Sequence, residues 1–104
     1  MAFNSGKTYK DMLCVAQDVA EDHWQILQGP FEQVMEQQRD RMREISGDWI
    51  RTGISDKALD AELAELQQVF DLVFEKMPQL DQPLAQKATK AALNCFWEAL
   101  MAGL

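Results

Sequence analysis

The sequence lacks the features that would direct a chain into or across a membrane. Its first ten residues contain no charged segment followed by an apolar stretch, as a secretory signal requires. No apolar run approaches the roughly 18 residues that span a bilayer. The chain has only two cysteines, Cys14 and Cys95, and in a reducing compartment both thiols stay free. We therefore expect a cytoplasmic protein without structural disulfide bonds.

Basic residues are scarce compared with acidic ones. The chain contains 10 lysines and arginines against 17 aspartates and glutamates, which gives a formal net charge of −7. A surface of this sign repels polyanions, so we expect no nucleic-acid partner and no electrostatic binding to an anionic membrane. Binding to a lipid surface through apolar side chains stays open, because it needs no positive charge.

The sequence also contains no set of residues that matches the needs of a known chemistry. It has neither a glycine-rich phosphate loop nor a CxxC pair. The single histidine, His23, lacks the glutamate three residues earlier that di-iron bundles use, since Ala20 stands there. Cys14 and Cys95 lie in apolar stretches without the basic neighbours that activate a thiol. We predict that the protein is not an enzyme and has no catalytic residue, cofactor or metal. We interpret His23 as a packed or half-exposed side chain, with a ligand or proton-transfer role as the alternative.

Glycines and prolines divide the chain at nearly regular intervals, with connections predicted at Gly29-Pro30, Gly53-Ser55 and Pro78-Gln82. Between them, apolar residues recur at steps of three and four, which is typical of helices with one buried face. No stretch alternates apolar and polar residues as a half-buried strand does. The predicted helices run from about Lys7 to Leu27, from Phe31 to Arg51, from Asp56 to Met77 and from Pro83 to about Ala102.

Four helices of similar length with short connections predict an all-α four-helix bundle, antiparallel in up-down-up-down order. At 104 residues the chain is large enough for one domain, 1–104, in which we expect only residues 1–6 to be frayed. Ser55 and Asp81 are the predicted N-caps of the last two helices. In this topology the first and last helices are neighbours, which places Cys14 and Cys95 at similar heights.

The second predicted helix carries a row of acidic residues at four-residue spacing. Arginines follow three of these acids by three residues, so ion pairs worth a few tenths of a kcal/mol each can offset the repulsion within the row. Such a pattern is typical of a solvated helix face. The alternative is a polar docking face for another protein, formed by Arg39, Arg41 and Arg43. The expected pairs are Glu36 with Arg39, Asp40 with Arg43, and Asp48 with Arg51.

The last predicted helix has more apolar side chains than one buried face can hold. The helix either forms the centre of the monomer's core or supplies an oligomer interface, where aromatic and methionine side chains are enriched. It is also slightly basic, whereas the third helix has six acidic residues against two lysines. We predict a homodimer. The predicted protein interface consists of Phe96, Trp97, Met101 and Leu104.

These features favour a small non-catalytic interaction or regulatory protein, a homodimeric helical bundle that binds another protein through a surface of methionines and aromatic residues. The six methionines suit an adaptable surface of this kind. The alternative is a lipid- or hydrophobic-ligand-binding helical protein. It would act either as a bundle that holds a ligand or as a surface coat, comparable to phasin-type granule proteins in size and helicity but in no motif.

Overall fold

The structure, a computed structural model, describes residues 4–102. Over this range the chain forms α-helices and no strand, which confirms the predicted all-α helical bundle. A 3-10 turn, Glu21–His23, follows the first helix, and a π-helical turn, Asp48–Thr52, follows the third. The helices are α1 (Ser5–Ala20), α2 (Trp24–Gln37), α3 (Arg39–Gly47), α4 (Asp56–Glu75) and α5 (Gln82–Ala102).

Helices α2 and α3 form one long segment with a kink at Gln38. The backbone N–H of Gln38 donates to the carbonyl of Val34, and that of Met42 donates to the carbonyl of Gln38, both over 2.9 Å. The hydrogen bonds of an α-helix therefore continue on both sides of the kink. Counted in this way, residues 4–102 contain four helical segments, which is the predicted number, although the first two divide at a different place.

The connection predicted at Gly29-Pro30 is wrong, because α2 continues through both residues. Leu27 and Phe31 are fully buried and lie four residues apart, hence on the same face of the helix. Packing of this continuous face outweighs the roughly 3 kcal/mol that a proline costs in a helix interior. The chain breaks instead at Glu21, whose φ of 52° is uncommon for a residue other than glycine.

The connection around Gly53-Ser55 is confirmed. Gly53 has a φ of 64°, a left-handed conformation that glycine adopts without the strain of a Cβ atom. The hydroxyl of Ser55 then accepts a hydrogen bond from the N–H of Ala58 over 3.1 Å, and so caps α4 as predicted.

The last connection covers residues 76–81, and the carboxylate of Asp81 accepts from the N–H of Leu84 over 3.2 Å. Asp81 therefore caps α5, as predicted. At the other end of the chain, α1 begins at Ser5, because the side chain of Asn4 accepts from the N–H of Lys7 over 3.0 Å. The predicted frayed segment 1–6 is thus too long by at least residues 4–6, and residues 1–3 lie outside the described part.

Helix α5 is the centre of the packing, since α1 and α4 both pack along it. Its buried alanines, Ala85, Ala88 and Ala92, leave little side-chain volume between the helix and its neighbours. The indole N–H of Trp49, in the π-helical turn, donates to the carbonyl of Leu100 over 3.0 Å and holds this turn against the end of α5. These contacts bury α5 on several sides.

A cluster of aromatic rings joins α2 to α4. The ring centroid of Phe31 lies 5.5 Å from that of Phe70, 5.6 Å from that of Trp24 and 6.1 Å from that of Phe74. Such pairs add about 0.5–1.5 kcal/mol each beyond the area that they bury. The contribution of Phe31 depends on α2 continuing through Pro30, which places its ring in the cluster.

Two contacts relate the ends of α1 and α5. The backbone N–H of Asp81 donates to Nε2 of His23 over 3.0 Å, so the turn after α1 meets the start of α5. Phe96, far along α5, lines a pocket together with Thr8 and Tyr9 from the first turns of α1. Antiparallel neighbours make contacts of this kind, while the up-down-up-down order of the whole bundle stays a prediction.

Replacing Pro30 by alanine tests the continuity of α2. The variant restores a backbone N–H and removes the clash of the proline ring with the preceding turn, so we expect the free energy of unfolding to rise by about 1–3 kcal/mol. Urea unfolding followed by circular dichroism measures this change. Pro83→Ala is the matched control, because Pro83 lies in the first turn of α5, where an N–H has no helical partner. Equal responses of the two variants would contradict a continuous α2.

Candidate functional site

An open groove with a volume of about 830 Å³ lies between α4 and α5. Its lining residues recur at steps of three and four along both helices, so each helix contributes one face. Apolar side chains of Leu63, Leu93 and Trp97 contribute to this lining. The groove extends over residues 60–71 of α4 and 83–97 of α5.

The two sides of the groove carry opposite charges. Asp60 and Asp71 line it from α4, whereas Lys87 and Lys90 line it from α5. None of the ion pairs found within residues 4–102 involves any of these four side chains. Asp71 accepts one hydrogen bond, from the side-chain amide of Gln67 over 3.0 Å. The groove therefore offers charged groups of both signs that have no ion-pair partner in the described chain.

Trp97 adds an unsatisfied hydrogen-bond donor. Its side chain is half-buried against the core, and its buried Nε1 atom has no hydrogen-bond partner among the residues that the structure describes. Leaving such a donor unpaired costs about 1–3 kcal/mol. The corresponding N–H of Trp49 does have a partner, the carbonyl of Leu100. Because this atom is itself buried, a molecule in the groove could supply an acceptor only after the indole ring reoriented.

The structure separates the four residues of the predicted interface. Phe96 is only 3% exposed and belongs to the core, so in this conformation its side chain cannot contact a second chain. This corrects its predicted position, because its side chain is covered within the core of the monomer. Trp97 and Met101 are half-buried and pack against the core, and Trp97 lines the groove. Leu104 lies outside the described residues.

The three arginines of the predicted docking face have different surroundings and do not form one surface. Arg41 forms a hydrogen bond with Glu62 of α4 and a second one with Glu44 over 3.2 Å. Arg39 and Arg43 instead line a separate pocket. Among the predicted ion pairs, Glu36 with Arg39 is present at 3.5 Å. Within residues 4–102, neither Arg43 nor Arg51 forms an ion pair, so the other two predicted pairs are absent there.

The pocket that Arg39 and Arg43 line has a volume of about 240 Å³ and lies where α1, α3 and α5 meet. The buried side chains of Met12, Met42 and Phe96 contribute to its lining. The sequence does not predict this pocket, because its residues come from three helices. The four-residue spacing of Arg39 and Arg43, which puts them on one helix face, is the one part of the pocket that the sequence indicates.

Tyr9 forms part of the pocket wall. Its hydroxyl donates to the carbonyl of Met35, and the guanidinium of Arg39 lies 6.0 Å from its ring centroid. Burial, assisted by the negative charge of Glu36, raises the pKa of Tyr9 from 10.0 to about 12, although Arg39 and Arg43 act in the opposite direction. The phenol is therefore neutral at physiological pH, and its proton is engaged by the backbone.

The other residues considered for a chemical role are His23, Cys14 and Cys95. His23 is half-buried and accepts a hydrogen bond from the backbone of Asp81, which matches the interpretation of a packed side chain.

Both thiols are free, with Cys14 exposed and Cys95 half-buried. Burial raises the pKa of Cys95, and Asp11, Glu98 and Cys14 add to this effect, so its reactive thiolate form is disfavoured. Residues 4–102 contain no group of three or more His, Cys, Asp or Glu side chains arranged to hold a metal ion.

Comparisons with protein-family models, with curated protein sequences and with solved structures give no match to this chain. None of the described helices combines the length and the apolar character needed to cross a membrane. The function is therefore inferred from the two concave sites, the groove between α4 and α5 and the pocket between α1, α3 and α5.

Tyr9 is the single tyrosine of the chain, so a spectrophotometric pH titration of phenolate absorbance reports on this residue alone. We expect a midpoint near pH 12 in the folded protein and near 10.0 in the urea-unfolded control. Because the folded pKa is raised, stability linked to Tyr9 is complete below pH 10.0 and is lost as the pH rises toward about 12. A folded midpoint at the ordinary value would contradict the buried position of the phenol.

Proposed function

We propose that the protein is a cytoplasmic, non-catalytic interaction protein that binds an amphipathic helix of another protein in the groove between α4 and α5. The observation that carries the proposal is the composition of this groove. Apolar side chains, among them the half-buried Trp97, lie between one acidic and one basic helix. Helices that bind in grooves use an apolar stripe flanked by polar residues, and this groove complements both parts.

The length of the groove indicates the size of the bound helix. At 1.5 Å per residue, its lining covers about 17 Å of α4 and about 21 Å of α5. A helix of about 12–15 residues has the same length. Packed beside α4 and α5, it would cover the half-buried side chains of Leu63 and Trp97 and lie over the buried Leu93.

The charges of the groove specify the edges of the bound helix. Basic residues on one edge would face Asp60 and Asp71, and acidic residues on the other edge would face Lys87 and Lys90. Complementary charges of this type select the partner and fix its direction more than they add to affinity. A partner with the charges reversed would be repelled on both sides.

The homodimer expected from the sequence is the competing occupant of the groove. In a two-fold dimer whose axis runs parallel to α4 and α5, the acidic side of one chain would face the basic side of the other, because rotation about this axis exchanges the two sides of the groove. Two grooves placed face to face, however, would leave an unfilled space between them, whereas a single helix fills the groove. We therefore propose a helix of a different protein.

A second function, the binding of a small hydrophobic ligand, is favoured by one specific observation. The pocket between α1, α3 and α5 contains buried apolar side chains of Met12, Met42 and Phe96. This supports a bundle that holds a ligand rather than a protein that coats a lipid surface. It is compatible with a protein partner in the groove, since the two sites share no lining residue.

A photo-crosslinking amino acid at Gln86 tests the proposed function in the cells that make the protein. Gln86 is exposed and lines the groove, while the matched control, Gln33, is exposed on α2 outside it. We expect Gln86 to give an adduct with one defined protein and Gln33 to give none. Reversing the charge of the basic side with Lys87→Glu and Lys90→Glu should reduce the adduct about 10-fold or more, because it opposes the acidic edge of the helix.

Two outcomes would overturn this proposal. An adduct with twice the 11.9 kDa mass of the chain would assign the groove to a second copy instead of a different protein. The absence of any adduct specific to Gln86 would remove the groove as a binding surface. Circular dichroism of the charge-reversed variant controls for folding, since Lys87 and Lys90 are exposed and their replacement should leave the helical content unchanged.

A further inference from the structure

We propose that the pocket between α1, α3 and α5 binds a small amphiphilic carboxylate, with its hydrocarbon chain against Met12, Met42 and Phe96 and its carboxylate at Arg43. This site is separate from the groove, and the inference does not depend on the protein partner proposed there. It specifies the ligand class for the small-molecule function noted above.

The volume of the pocket limits the ligand to a small molecule. Pockets for drug-sized ligands measure about 300–1,000 Å³. At about 240 Å³, this pocket lies just below that range, so it has room for a single short hydrocarbon chain and is too small for a two-chain lipid.

The apolar part of the pocket belongs to the core. Met12, Met42 and Phe96 are all buried in the monomer, where they pack against other core residues. Thioether side chains adapt to the shape of a bound chain at little cost. Tyr9 supplies a further wall, but its hydroxyl already donates to the backbone of Met35 and is not free to bind the ligand.

The charged part of the pocket has one sign. Arg39 and Arg43 line it, and no acidic side chain of residues 4–102 does, although the chain as a whole has a net charge of −7. Arg39 is engaged with Glu36 at 3.5 Å. Arg43 takes part in none of the ion pairs within the described residues, so its guanidinium is available for a carboxylate, to which it can donate two parallel hydrogen bonds.

The start of α1 reinforces this positive charge. Ser5 and Gly6 also line the pocket, and they are the first residues of the helix, whose backbone N–H groups have no helical acceptor. The partial positive charge at a helix start adds to the attraction of Arg43 for an anion. An anionic head group and an apolar tail thus satisfy two different parts of one pocket.

Isothermal titration calorimetry with octanoate tests the inference on the full chain. Octanol and octylamine have the same tail with a neutral or a positive head group, and acetate has the carboxylate without the tail. We expect saturable binding of one octanoate per chain. We expect binding at least about 10-fold weaker for each of the other three, because each loses either the charge-assisted hydrogen bonds or the apolar contact.

Two variants locate the site, and each has a matched control. Arg43→Gln removes the cation, and Arg51→Gln removes an arginine outside the pocket. Gly6→Leu fills the pocket from its edge, where an added Cβ meets only the side chain of Asn4, at an ordinary 3.6 Å. Gly29→Leu makes the same change on α2, where an added Cβ has no neighbour within 4 Å. We expect octanoate binding to weaken about 10-fold or more in the first member of each pair and less than about 2-fold in its control.

Three results would overturn the inference. They are the absence of saturable octanoate binding, equal affinity for octanol or octylamine, and equal loss of binding in the variants and their controls. Because the tested residues are exposed, circular dichroism should show the same helical content for all four variants. Crosslinking at Gln86 should be unaffected by Arg43→Gln, so failure of this inference can be distinguished from failure of the proposed partner site.

Discussion

The structure depends on the burial of α5, a helix with more apolar surface than any one neighbour can cover. Helix α1 covers one side, α4 covers another, and the bond from Trp49 to Leu100 holds the π-helical turn against its end. One side remains, and there Leu93 and Trp97 line an open groove. This side of α5 also carries the exposed polar residues Gln86, Lys87, Lys90 and Asn94, so it is amphipathic. An amphipathic helix bound in the groove, as we propose, would cover its apolar part.

The unequal distribution of charge distinguishes the two concave sites, for which we propose different ligands. The groove has acidic residues on α4 and basic residues on α5, which suits a helix with two differently charged edges. The pocket is lined by Arg39 and Arg43 without an acidic residue among those described, which suits an anion. Both sites combine these charges with apolar side chains, so each would bind an amphipathic molecule, one a polypeptide helix and the other a small carboxylate.

Local signals in the sequence predicted the helices and several of their ends, because caps such as Ser55 and Asp81 act within a few residues. They failed at Pro30, where packing of Phe31 against α4 keeps the helix intact. They also failed at Glu21, because the break there contains neither glycine nor proline. The excess apolar surface of α5 was visible in the sequence. Its division into a buried Phe96 and a half-buried Trp97 was not, since it depends on which neighbours cover each face.

Amide hydrogen exchange, measured for the protein alone and in complex with its crosslinked partner, tests most directly whether the groove is the binding surface. Slowed exchange reports the backbone segments that binding stabilises. We expect added protection to be confined to residues 60–71 of α4 and 83–97 of α5. Added protection on α1 or α3, with residues 60–71 and 83–97 unchanged, would contradict the groove as the site where the partner binds.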